Sequence, residues 1–191
     1  MSRKDSRVIR NITRLCSINE MDENVLYKRS LTFLKLFQEM GWNVAIFNGK
    51  NIESDLVKSE DSIRVSLDYL MHLPEDDEDY IIEKNLKPLF DSGIVREIMN
   101  YSLNKVKEYP HGGEIYYRCI NLCFLDGVRH TSDDIIEALN LSRGTYYDKR
   151  KEAIILFGVT LWSFAIPYLL KHLNDSLLEF KQLIKDSGNE K

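Results

Sequence analysis

Apolar residues along the 191-residue chain recur mostly at three- and four-residue spacing, the period of a helix with one face in a core. In residues 22–40 the apolar positions Val25, Leu26, Leu31, Phe33, Leu34, Leu36, Phe37 and Met40 are crowded enough for a well-buried helix, and Gly41 stands where such a helix ends. Residues 42–47 then alternate in part, which predicts a short strand, and Asn48-Gly49 is a turn signal that would make it one arm of a small hairpin. Helix spacing returns over residues 62–73, with Ile63, Leu67, Leu70 and Met71 on one face. Pro74 and the acidic run Glu75-Asp76-Asp77-Glu78-Asp79 break it, and residues 80–90 and 93–109 predict two further helices. The run Pro110-His111-Gly112-Gly113 is the strongest linker signal in the chain. Residues 1–10, MSRKDSRVIR, read as a basic, partly ordered leader.

The sharpest pattern lies in residues 117–153, which read as a helix, a short helix, a tight turn and a third helix. Ile115, Tyr116, Cys119, Ile120, Leu122, Cys123 and Phe124 form the apolar stripe of a supporting helix, broken by Asp126-Gly127. Thr131 precedes Ser132-Asp133-Asp134 as a capping threonine followed by acids, which the positive end of a helix dipole favours. The second helix is expected to bury Ile135, Ala138 and Leu139, with Ile136 at its flank. Asn140 suits the turn because asparagine tolerates left-handed backbone. Ser142 is the expected cap of the third helix, with Tyr146, Ala153 and Ile154 on its inner side. That order of elements is what a helix-turn-helix needs to place one helix in the major groove of DNA. Gly144, near the start of this helix, fits either a loose helix entry or close approach of backbone to DNA.

Residues 153–170 are 18 positions without a charge, near the length that spans a bilayer. Thr160, Ser163, Pro167 and Tyr168 dilute the stretch, and it continues directly from Lys149-Arg150-Lys151. A helix apolar all round is otherwise buried in a core or an oligomer interface, so a buried helix is expected here, partly at a two-fold interface, with a membrane span as the alternative. The expected architecture is all-α: a helical N-terminal region (1–109) for dimerisation or partner contact, a helix-turn-helix domain with a long apolar C-terminal helix (114–175), and a polar tail (176–191).

Composition narrows the function classes. With 43% apolar and 29% charged residues the chain is an ordinary globular one, and its net charge of −4 argues against a protein that coats nucleic acid without sequence preference. Residues 53–84 hold eleven acids against three bases, which reads as a solvated surface, with an interaction tail or DNA-mimic face as the alternative. Three cysteines and no signal peptide point to a reducing cytoplasm. Cys119 and Cys123 lack the second close pair that a metal site brings, so buried apolar cysteines are expected. His72 and His172 are isolated, and Trp42 and Trp162 sit in apolar runs. Phosphate loops and hydrolase or metalloprotease motifs are missing, so neither an enzyme nor a cofactor is expected.

The run Asp126-Gly127, Asp133-Asp134-Ile135, Leu139-Asn140-Leu141-Ser142-Arg143-Gly144-Thr145 and Ala153 resembles the region-4 helix-turn-helix of bacterial sigma factors. It is also similar to the phage late-transcription regulators of the ArpU and RinA types related to them. The stretch from Ser142 through Gly158, with Leu161-Trp162 and Ala165-Ile166-Pro167, is further similar to proteins of Firmicute phages and integrative elements. The first resemblance covers about 45 residues. It implies that Arg143, Gly144, Thr145 and Tyr147 enter the major groove. Nothing resembles the sigma region that binds core polymerase and melts the promoter. Arginine reads guanine bidentately, and Lys149, Arg150 and Lys151 are candidates to neutralise phosphates. The expectation is a cytoplasmic, dimeric, sequence-specific regulator of phage or mobile-element type, with double-stranded DNA and RNA polymerase as partners and no membrane. The alternative is a helical adaptor in which the helix-turn-helix is only scaffold.

Overall fold

The computed structural model describes the backbone of residues 3–47, 60–74 and 78–171, and the described residues are all-α, with eight helices and no strand. These are α1 (Arg3–Ile18), α2 (Glu23–Phe47), α3 (Glu60–Met71), α4 (Asp79–Asp91), α5 (Ile94–Lys107), α6 (Gly113–Ile120), α7 (Ser132–Leu139) and α8 (Arg143–Thr160). A wider, π-type turn over Asn121–Leu125 extends α6, and a second over Leu161–Ala165 carries α8 on, so that one helix runs 29 residues from Arg143 to Lys171.

Two expectations fail in the N-terminal region. The supposed leader is helical from Arg3, because Val8, Ile9, Ile12, Leu15 and Cys16 recur at helix spacing, and Ile12 and Cys16 are buried. Gly41 does not end α2, and residues 42–47 are helix rather than strand. Met40, Val44 and Phe47 keep the helical repeat, and one interior glycine costs only about 1 kcal/mol. The Asn48-Gly49 turn, most of the acidic run, His172 and the polar tail fall outside the described residues, as does the Trp42 side chain.

The apolar part of α8 is the axis of the core. It packs on α2, α5, α6 and α1, and α4 joins through α2 and α5. Phe33 of α2 sits at the centre, with ring centroids 6.3–6.4 Å from Phe90, Phe157 and Trp162. Gly158 lets the two long helices approach: a Cβ there would run into the Ser30 hydroxyl and lie 2.8 Å from Leu26 Cγ. The Trp162 indole donates to the Leu70 carbonyl at 2.9 Å, which ties the end of α3 to α8.

The charge-free stretch is therefore a core helix. It is long and apolar enough to cross a membrane, yet 72% of its most apolar window is buried inside the protein. That burial is achieved within one chain, and Phe164 and Tyr168 are the large apolar side chains of the stretch left exposed. Tyr168 stacks on Tyr101 of α5. The core also runs across the 110–113 turn, where a Cβ at Gly113 would meet the Val106 and Lys107 carbonyls, so α6 starts hard against the end of α5.

Candidate nucleic-acid interface

Three terminal motifs fix the α7–turn–α8 segment. At the start of α7, Thr131 and Asp134 form a reciprocal capping box: the Asp134 amide donates to Thr131 Oγ1 at 3.2 Å, and the Thr131 amide donates to Asp134 Oδ2 at 2.7 Å. These hydrogen bonds hold the Asp134 carboxyl below its ordinary pKa, the Thr131 hydroxyl contributing most. At the end of α7, Asn140 takes the left-handed conformation (φ 52°). The Leu141 amide returns to the Ile136 carbonyl and the Asn140 amide to Glu137, the pairing of a Schellman stop. At the start of α8, the Thr145 amide donates to Ser142 Oγ at 3.3 Å. Each orphan amide or carbonyl satisfied here fixes the angle at which α8 leaves the turn.

Side chains then hold the pair of helices to their support. Ile135, Leu139 and Tyr146 are buried, as expected from the pattern, whereas Ala138 is exposed. Position 138 lies near the end of a helix only two turns long, where the neighbouring contact comes from backbone: Arg118 of α6 donates to the Ala138 carbonyl at 2.9 Å. Ile136 is half-buried beside Leu141 across the Schellman stop. Asp126 pairs with His130 and accepts the Val128 amide, closing the loop before α7.

The candidate reading residues separate into two sets. Arg143, Gly144 and Tyr147 are exposed, Thr145 is half-exposed, and a Cβ at Gly144 would meet nothing within 4 Å. Arg143 reaches back to Asp133 at 2.6 Å, with both side chains mostly in solvent. Lys151 is exposed and 3.4 Å from Glu23 of α2. Lys149 and Arg150, by contrast, turn inward. Lys149 is bonded to the buried Glu152 at 2.7 Å and lies over the Tyr116 ring. Arg150 lies over the Phe124 ring and beside Cys123. Helix geometry explains the split, since positions 149 and 150 lie a turn after Tyr146 and share its inward side.

The outward face is mixed in charge. Arg143 and Lys151 stand among the exposed acids Asp133, Asp134, Glu137 and Asp148. Pattern reading put Arg143, Lys149, Arg150 and Lys151 on one helix but could not tell which of these cations the core and α2 would take.

One group was misjudged. Cys119 and Cys16 are buried, but Cys123 is half-exposed on the π-type turn, its sulfur 3.6 Å from the Tyr146 hydroxyl and close to the Arg150 guanidinium. The spacing of an aromatic hydroxyl and an arginine one turn apart on α8 was the available signal. Among the described residues, no three histidine, cysteine or acidic side chains converge as a metal site. Comparison with protein-family models, with curated proteins and with solved structures gives no match to this chain.

Proposed function

We propose that the chain is a sequence-specific DNA-binding protein that presents the first two turns of α8 to the major groove. Arg143, Gly144, Thr145 and Tyr147 are its reading positions, and Lys151 is its phosphate contact. What supports this most is the exposed, capped start of α8. Its outer side carries the exposed Arg143, Gly144 and Tyr147, while its inner side is fixed by Tyr146 and by the stop at Asn140. The Arg143–Asp133 pair is solvent-exposed, and such pairs contribute about 0–1 kcal/mol, so Arg143 can exchange it for a guanine edge at little cost. The resemblance to sigma region 4 and to ArpU- and RinA-type regulators extends this reading to a cytoplasmic transcriptional regulator of phage or mobile-element type. It acts as a homodimer and has RNA polymerase as a further partner.

A second reading, a protein-binding adaptor, is favoured by the acids on the same face and by the loss of Lys149 and Arg150 to interior contacts. Selection of bound fragments from sheared genomic DNA at low salt separates the two. Enrichment of a common sequence that Arg143→Ala abolishes is the expected result. Recovery of no DNA above background would favour the adaptor.

A further inference from the structure

We propose that Cys123, on the π-type turn that packs against the inner side of α8, is a modification site: a reactive thiol oxidised by hydroperoxides. Three observations carry this. Cys123 is partly exposed, whereas Cys16 and Cys119 are buried. Besides the core side chains it packs against, it has polar neighbours: the Tyr146 hydroxyl lies 3.6 Å away and the Arg150 guanidinium acts on it. Arg150 is itself withdrawn from solvent over the Phe124 ring, and among the described residues it makes no carboxylate ion pair. A withdrawn guanidinium without a carboxylate is a counter-ion waiting for an anion, and the thiolate is the anion beside it.

The other groups around the sulfur agree. From α6 comes the Cys119 thiol, and from α2 come Tyr27, which acts on Arg150, and the Gln38 amide, which donates to the Cys123 carbonyl at 3.4 Å. Among the described residues, Arg150 supplies the full charge acting on Cys123. Contact with Cys119, the Tyr146 hydroxyl and the Arg150 cation together hold the Cys123 thiol below its ordinary pKa, against burial. The same contact and its own burial push the Cys119 thiol up. The π-type turn matters too, because such turns distort a helix locally and recur at functional positions.

The chemistry is a two-electron oxidation. The thiolate attacks the terminal oxygen of the hydroperoxide, an S–O bond forms as the O–O bond breaks, and that oxygen brings its proton to give a sulfenic acid. The leaving alkoxide or hydroxide takes a proton from solvent. The product is neutral, so Arg150 loses its counter-ion and Tyr146 its thiolate acceptor. Any effect of this on DNA affinity rests on the DNA-binding reading above; the reactivity of the sulfur does not.

The test uses the full chain, with iodoacetamide as alkylating probe across a pH series and peptide mass spectrometry as readout. Cys123 should be labelled about tenfold or more faster than Cys16 or Cys119, with a rate midpoint below the ordinary thiol value of about 8.5. Equimolar hydrogen peroxide with a 1,3-dione trap should place the adduct on Cys123. Arg150→Gln should move the midpoint upward, and Arg150→Lys should hold it down; circular dichroism shows that each variant keeps its helices. If Arg150→Gln does not fold, the parent profile and the lysine variant decide alone. A parent midpoint at or above about 8.5, comparable labelling of a buried cysteine, or no dione adduct overturns the proposal. Failure of DNA binding leaves every one of these readouts in place.

Discussion

The Tyr116 hydroxyl donates a 2.7 Å hydrogen bond to Glu152, joining the support helix α6 to the middle of α8 across 36 positions of sequence. The same carboxylate oxygen receives Lys149 at 2.7 Å, and the other oxygen is buried with no partner among the described residues. Glu152 thus anchors α8 at the level where the exposed helix enters the core. Glu152→Ala removes the acceptor of both the Lys149 ammonium and the Tyr116 phenol, and removing one member of a buried pair costs about 3 kcal/mol or more. Asp133→Ala breaks only the exposed pair with Arg143 and should stay within about 0.5 kcal/mol. Urea denaturation of the two variants side by side measures the contrast; equal costs would show that Glu152 is not an anchor.

The capping box at α7 makes a pH-dependent contribution whose sign is fixed. The Asp134 carboxyl is depressed by the Thr131 hydroxyl and amide, so its contribution is present above the unfolded value of 3.8 and lost as pH falls through the lower folded value. Thr131→Val removes the hydroxyl and should bring the Asp134 midpoint, read by carbon-detected NMR, back toward 3.8. A midpoint unmoved by the substitution would mean that the box does not form. At neutral pH the loss of either cap, Thr131→Ala or Ser142→Ala, should cost about 0.5–2 kcal/mol.

Two glycines of α8 should respond in opposite directions to the same substitution. Gly144→Ala places its methyl in open space and should stabilise the chain by up to about 1 kcal/mol. Gly158→Ala drives a methyl into Ser30 and Leu26 of α2 and should destabilise by about 1–3 kcal/mol through overpacking. Thermal melts of the pair check this. For Gly144, unchanged DNA affinity in the stabilised variant would remove the idea that backbone approaches the groove there.

The legible parts of the molecule were those set by local chemistry. Thr131, Asn140 and Ser142 announce helix ends through side-chain oxygens and tolerance of left-handed backbone, and all three act as read. Residues 42–47 were misread because a short apolar stretch alternates and repeats helically at once; only continuity with α2 decides between the two. The fates of Lys149 and Arg150 depend on Tyr116, Glu152, Phe124 and Cys123. Those partners converge through tertiary packing, and sequence spacing does not express it. Cys123 was hidden for the same reason, its polar neighbours coming from α8.

If α8 reads DNA, the cations should divide by their placement. Lys151→Ala should lower the slope of log affinity against log salt by about 0.9, the share of one phosphate contact. Arg143→Ala should also cost about 1–3 kcal/mol at its preferred base pair. Lys149→Ala should leave the salt slope unchanged and lower stability instead, because its ammonium belongs to Glu152. Fluorescence anisotropy on a selected fragment at several salt concentrations distinguishes these. A slope change for Lys149→Ala equal to that for Lys151→Ala would refute the inward assignment.

The 29-residue helix from Arg143 to Lys171 makes the exposed head and the centre of the core one rod, about 43 Å long at about 1.5 Å per residue. Such a head has no hinge of its own. It cannot be swivelled, exchanged or excised as a cassette, because cutting it free of α2 and α5 would leave Ile154, Ile155, Phe157 and Trp162 facing water. Conversely, a small displacement of α2 at Gly158 is transmitted along a stiff lever to Arg143 and Tyr147, so substitutions deep in the core are positioned to act on the far tip.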